Sequence, residues 1–379
     1  MALLIATIAL SLLGAMVEGS TDDESRQTGP EVAEPPAEHE AAGFYGVGPQ
    51  TILHRKDYAR MGAGGVEVLR VPLSWDNVQQ VPGRCDPEPQ VATCQWAEFD
   101  AVIGQAAAQG IQVLPVFGGR PEFVKDKNSD KFIREHPPIS GEGLEAWRDF
   151  VGSAAKRYGR DGIYWDDFTK FTELPAMPIE EWQVWNEPNA APYWPPKPNA
   201  REYGKLVTET ATAVREADPE AEIVLGGMFG TATVTSRDYL RSLYEIDGIE
   251  EYFDSIAIHP YAPDVRDIKV QARWVRNVAE QAGDSEVGLW LTEVGAGSGN
   301  GGHPLELGDK GQAKLLKRSF NYFLSVRDAW NVEGIIWFTW KDRADGTVCR
   351  FCAHAGLIDA RGAPKASWDA FKSFAEAEQ

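Results

Sequence analysis

Two glutamates in this chain stand where carboxylates can act as a pair. Glu187 follows Ile179-Glu180-Glu181-Trp182-Gln183-Val184-Trp185-Asn186, a strand-like run broken by Pro188, and Glu293 closes a second run, Leu289-Trp290-Leu291-Thr292. One carboxyl that protonates a leaving oxygen, opposite a carboxylate that attacks an anomeric carbon, is the chemistry of glycosidic bond cleavage. In its retaining form the two stand about 5–5.5 Å apart. Nearby indoles and the charge of an ionised partner would raise the pKa of Glu187, so it is expected to be the proton donor and Glu293 the nucleophile.

The elements that must position this pair are legible as alternating patterns. Apolar runs near 43–48, 66–74, 111–117, 180–186, 222–228, 254–260, 287–294 and 334–340 read as strands. Helical spacing separates them. Leu144, Trp147, Val151, Ala154, Ala155 and Tyr158 share one face, as do Leu316, Phe320, Phe323 and Leu324 in a stretch that Asp309 is placed to cap. Eight β-then-α units predict an α/β fold, a single (β/α)8 TIM barrel over residues 43–379, rather than an open sheet. Long loops near 75–94, 118–140 and 342–365 would emerge on its C-terminal face, where sites are built. Glu180, Glu181 and Glu333, at strand starts, fall on the opposite, stability-related face.

The 379 residues are 43% hydrophobic and 25% charged, an ordinary globular composition rich in aromatics, with 13 Trp, 11 Tyr and 16 Phe. A net charge of -20 repels polyphosphates and argues against a nucleic-acid partner. Residues 1–19 read as a signal peptide, because Met1 to Val17 is apolar yet short for a bilayer span, so a secreted or cell-surface protein without an integral membrane domain is expected. Residues 20–42 carry seven acidic residues and one Arg without apolar periodicity, and read as a disordered acidic tether. Cys85, Cys94, Cys349 and Cys352 fit an exported protein. The local pairs 85–94 and 349–352 are the simplest of three connectivities, with a zinc site on Cys349, Cys352 and His354 as the alternative.

Trp185-Asn186-Glu187-Pro188 resembles the acid/base signature of clan A glycoside hydrolases, with Glu293 in Leu291-Thr292-Glu293 at the nucleophile position. The pattern is closest to families 39 and 5 and spans the whole core. The resemblance implies a retaining (β/α)8 hydrolase of a β-linked glycan or oligosaccharide, needing no metal or other cofactor. It implies that Asn186 grips the sugar 2-hydroxyl, that Arg70 at the end of strand two and Tyr261 hold the nucleophile ionised, and that Trp340 is the floor under the reacting sugar. His259 would donate to a substrate hydroxyl or a neighbouring carboxylate.

Simpler readings stand beside these. Arg70 could serve a structural ion pair, and His259 and Tyr261 could simply pack. Tyr193 and Trp194, followed by Pro195, Pro196 and Pro198, would form a sugar-stacking wall or pack beneath their own loop. Gly297 to Gly302 spells a literal G-x-G-x-x-G, but no helix opens on it, so a dinucleotide is not indicated and a flexible loop beside Glu293 is expected. An exported carbohydrate-binding barrel without turnover, and a transglycosylase on the same scaffold, are the other functional classes. The working expectation is a monomer.

Overall fold

The computed structural model describes residues 43–88, 93–125, 136–344 and 349–375. The expected signal peptide and acidic tether lie outside these residues. Eight parallel strands close into a barrel in chain order: β1 (Tyr45–Gly48), β2 (Val68–Ser74), β3 (Gln112–Gly118), β4 (Glu181–Asn186), β5 (Glu222–Phe229), β6 (Ser255–His259), β7 (Gly288–Val294) and β8 (Val332–Phe338). β8 returns to β1 with Tyr45 opposite Ile335 and Gly48 opposite Phe338. All eight expected strands are present. β8 runs two residues earlier than its apolar pattern suggested, because the chain leaves the sheet after Phe338.

The core has two compartments. Val68, Leu114, Val224, Ala257, Trp290 and Ile336 fill the lumen, while the larger apolar cluster lies between the barrel and its helices. Helix Gly141–Tyr158 buries all six residues expected on its inner face. Helix Ala200–Ala217 is capped by Asn199, whose side chain accepts from the Arg201 and Glu202 amides. Loss of that cap would cost about 1 kcal/mol. Truncating Trp147 would cost about 3–5 kcal/mol, so packing rather than capping holds the helical layer.

Two local expectations change. Asp309 does not cap helix Gly308–Ser325; it sits in the first turn, and its Oδ1 accepts the Ala366 amide at 3.3 Å. Leu324 is exposed, one position off the buried face of Leu316, Phe320 and Phe323. The cysteines form the two local disulfides, Cys85–Cys94 and Cys349–Cys352, which removes the zinc alternative. Both staple loops at the C-terminal end of the barrel, after β2 and β8. Among the described residues, no helix is long and apolar enough to cross a membrane.

Candidate active site

Glu187 follows the last residue of β4, and Glu293 is the penultimate residue of β7, so parallel closure brings both to one end of the lumen. Each offers an oxygen within 4.8 Å of the other and of a His259 ring nitrogen. The backbone here is strained: Trp185 and Glu187, either side of Asn186, take left-handed φ angles of 68° and 43°. Non-glycine residues so held cost about 1–3 kcal/mol each, and such strain clusters where a side chain must be aimed.

Arg70 organises the floor. Its Nη1 lies 2.7 Å from Glu293 Oε1, its Nη2 donates to Asn186 Oδ1 at 2.9 Å, and its Nε donates to Gln183 Oε1 at 2.6 Å. Arg70 stands three residues into β2 rather than at its end, with its guanidinium reaching across the lumen. The Asn186 carbonyl is thereby engaged, and among the described residues its NH2 has no partner. Tyr261 donates to Glu293 Oε2 at 2.6 Å, so both nucleophile oxygens are held. His259, fully buried at the end of β6, places Nδ1 2.8 Å from Glu187 Oε1 and 3.7 Å from Glu293 Oε2. Its Nε2 meets Thr292 Oγ1 at 3.1 Å.

These surroundings drive the two carboxyls apart. Burial raises the pKa of Glu187 and the charge of Glu293 adds to it, against the opposing pull of His259. Burial also acts upward on Glu293, but His259, Arg70 and the Tyr261 hydrogen bond outweigh it and hold that carboxyl below the usual range. Burial, with the adjacent Glu293 charge, keeps the Tyr261 hydroxyl protonated and therefore a donor. One carboxyl is pushed toward its acid form and the other toward its anion, the division of labour that acid/base pairs require. Glu187, His259 and Glu293 are spaced as three metal ligands could be. Arg70 already supplies the counter-charge to Glu293.

Two expected contacts are not made. Trp340 is fully buried; its indole donates to Asp57 Oδ1 at 3.2 Å and packs edge-on against Trp368, so it is no sugar floor. The chain turns after Phe338, and the Trp340 amide bonds back to the Gly48 carbonyl, drawing the indole outward behind the barrel. Half-buried Phe338 ends β8 instead, its ring 6.3 Å from Tyr261. Trp194 is also fully buried, among Trp185, Tyr203 and His136, with its indole 3.3 Å from Glu202. The half-buried Tyr193 beside it has its hydroxyl kept protonated by burial and by the charges of Glu187 and Glu293.

The glycine-rich loop after β7 is pinned rather than loose. Gly297 exchanges backbone bonds with Leu305 and Leu307, and the Ser298 amide donates to the His354 carbonyl. From the loop stapled by Cys349–Cys352, Phe351 packs 5.4 Å from Tyr261 and stacks on His303. Phe338, Phe351, Gln183 and Thr292 are the site residues that sequence reasoning missed. A signal existed for the last two: each is a polar residue of inward parity within an otherwise apolar strand.

No family model matches the chain. A curated β-xylosidase of Geobacillus stearothermophilus is 22% identical over 303 residues, covering 73% of this chain and 55% of the relative. The chain thus spans about half the length of the curated relative it matches. Among solved structures, a family 39 glycoside hydrolase from Bacteroides cellulosilyticus aligns with a TM-score of 0.62 at 19% identity, over 87% of this chain and 62% of the other. A β-xylosidase from Caulobacter crescentus gives 0.63 at 16% identity, over 88% and 67%. An exo-β-1,4-mannosidase from an Opitutaceae bacterium gives 0.58 at 15% identity, over 88% and 59%. The barrel of this chain is therefore the one found in family 39 glycoside hydrolases and similar glycosidases, with Glu187 and Glu293 at the ends of its fourth and seventh strands.

Proposed function

We propose that the protein is a retaining glycoside hydrolase acting on a β-linked glycan or oligosaccharide. The observation that carries this reading is the placing of one oxygen of Glu187 within 4.8 Å of one of Glu293, in surroundings where burial pushes Glu187 toward its protonated form while His259, Arg70 and Tyr261 pull Glu293 toward its ionised form. Nearest oxygens this close fit double displacement, in which the two carboxyls stand about 5–5.5 Å apart, better than the about 6.5–9.5 Å of an inverting pair. Glu293 attacks the anomeric carbon as Glu187 gives its proton to the departing oxygen. Glu187 then takes a proton from water, which displaces Glu293 and restores both groups.

The free NH2 of Asn186 is the donor for the sugar 2-hydroxyl, and Tyr193, Phe338 and Phe351 supply the apolar walls. The β-xylosidase and β-mannosidase activities of the similar proteins support a β-glycoside as substrate. No metal takes part in this scheme, and every residue it uses comes from one chain, so it asks for no more than a monomer. Two disulfides support export to an oxidising compartment, secreted or at the cell surface.

The reading is tested by a panel of β-glycosides differing in leaving-group acidity. Glu187→Gln is expected to lose about 10²–10⁴-fold in rate on poor leaving groups and far less on activated aryl glycosides. Equal losses on both would remove Glu187 from the acid role.

A further inference from the structure

We propose that Gln183 and Thr292 are positioning residues for Glu187. They fix His259 as the tautomer protonated on Nδ1, and so place the transferable proton of Glu187 on Oε2. The catalytic consequence rests on the glycosidase reading; the tautomer does not.

Hydrogen-bond direction is set from two fixed ends. Arg70 carries donors only, so the Gln183 atom 2.6 Å from its Nε is the amide oxygen. The other end of that amide faces the Leu225 carbonyl at 3.0 Å, which only accepts, and is therefore the NH2. The same NH2 donates to Thr292 Oγ1 at 3.3 Å. The threonine hydroxyl thus accepts from Gln183 and keeps one proton to give. Its other partner among the described residues is His259 Nε2, at 3.1 Å. Were Nε2 protonated, the hydroxyl proton would face no acceptor at a fully buried residue, an arrangement folded proteins avoid. The backbone closes over this spot: a Cβ added to Gly227 would stand 2.0 Å from His259 Nε2 and 2.6 Å from Thr292 Oγ1. Nε2 and Oγ1 are in direct contact at 3.1 Å, so no water bridges them.

With Nε2 accepting, the imidazole carries one proton, on Nδ1, and donates it to Glu187 Oε1 at 2.8 Å, so the pull of His259 on the two carboxyls is that of this N–H and not of a cation. Two protons cannot occupy that one contact, so the acid proton of Glu187 belongs on Oε2. That oxygen is buried and has no partner among the described residues, which suits a proton awaiting a glycosidic oxygen. The opposite tautomer would make Nδ1 an acceptor and turn the Glu187 proton toward His259, away from the leaving group. Once the proton has gone, the Nδ1–H bond strengthens toward the new carboxylate and steadies it for its second role as a base.

The experiment is two-bond ¹H–¹⁵N correlation on the full chain labelled with [¹⁵N]histidine, His259 being assigned by its absence from a His259→Gln sample. The expected wild-type pattern is a single Nδ1–H tautomer. Thr292→Val should abolish that pattern and lower kcat on poor leaving groups about tenfold or more with KM little changed. Thr292→Ser should restore both. A wild-type Nε2–H tautomer overturns the proposal, as does an unaltered pattern in Thr292→Val; if that variant does not fold, the wild-type spectrum decides alone. An Nδ1–H tautomer in a protein that cleaves no glycoside would overturn the glycosidase reading and leave the tautomer assignment standing.

Discussion

The lumen carries glutamates at both ends, and their surroundings give them opposite chemistry. At the C-terminal end, Glu187 and Glu293 share Arg70, His259 and Tyr261, and their pKa values are pushed apart. At the N-terminal end, the hydrogen-bond donors that Glu181 and Glu333 meet among the described residues are neutral, the Trp290 indole at 2.8 Å from Glu181 and the Ser255 hydroxyl on Glu333. Burial raises Glu181 to about 7 and Glu333 to about 8, the latter helped by the charge of Glu181. Both shifts run the same way. A carboxylate pair becomes acid and nucleophile only when a cation and directed donors favour one member's charge, which is the difference between the two ends.

The sharpest way to break this comparison is to remove one glutamate from each end. Glu293→Ala should lower kcat about 10⁴-fold or more, whereas Glu181→Gln, which keeps an acceptor for Trp290, should leave turnover unchanged in the same assay. Removing the cation sharpens it further. Arg70→Met strands the Glu293 charge and should cost about 3–5 kcal/mol in denaturant unfolding. The acid limb of its pH–rate profile should also move upward. In the wild type that limb reports Glu293 and lies below the ordinary glutamate range, while the alkaline limb reports Glu187 and lies above it, with the pair titrating as a unit.

The smallest effect concerns the opposite end. Folding raises Glu181 and Glu333 from 4.5 to about 7 and about 8, so between those values the folded chain holds more protons than the unfolded one. Their contribution to stability is full below pH 4.5 and is lost as pH rises through 7 and 8. Glu333→Gln should therefore stabilise the fold by about 2–4 kcal/mol at pH 8 and hardly at all at pH 4.5. Thermal unfolding at the two pH values checks this, and equal shifts at both would contradict it.

Strand periodicity carried the barrel, because lumen and helix-facing residues alternate within short apolar runs. The placement of Glu187 and Glu293 follows from that, since each lies at or just past a strand end, whereas Asn186, His259 and Tyr261 were legible through the resemblance to clan A hydrolases. Trp340 and Trp194 were misread for a shared reason: aromatic composition shows that a ring will be buried, not on which side of the backbone. A turn after Phe338, held by the long-range bond from the Trp340 amide to the Gly48 carbonyl, and a local turn at Ala190–Trp194 decide the side, and residue spacing encodes neither. The Gln183–Thr292 contact joins residues 109 positions apart and exists only once β4 and β7 face each other across the lumen.

The central claim is that the two ends differ in chemistry, with Glu293 alone poised to form a bond to sugar. Incubation with an activated 2-deoxy-2-fluoro β-glycoside, followed by peptide mapping by mass spectrometry, tests it directly. One glycosyl group on the peptide containing Glu293, absent from Glu293→Ala, is the expected result; a label on Glu181, Glu333 or any other residue would contradict the account.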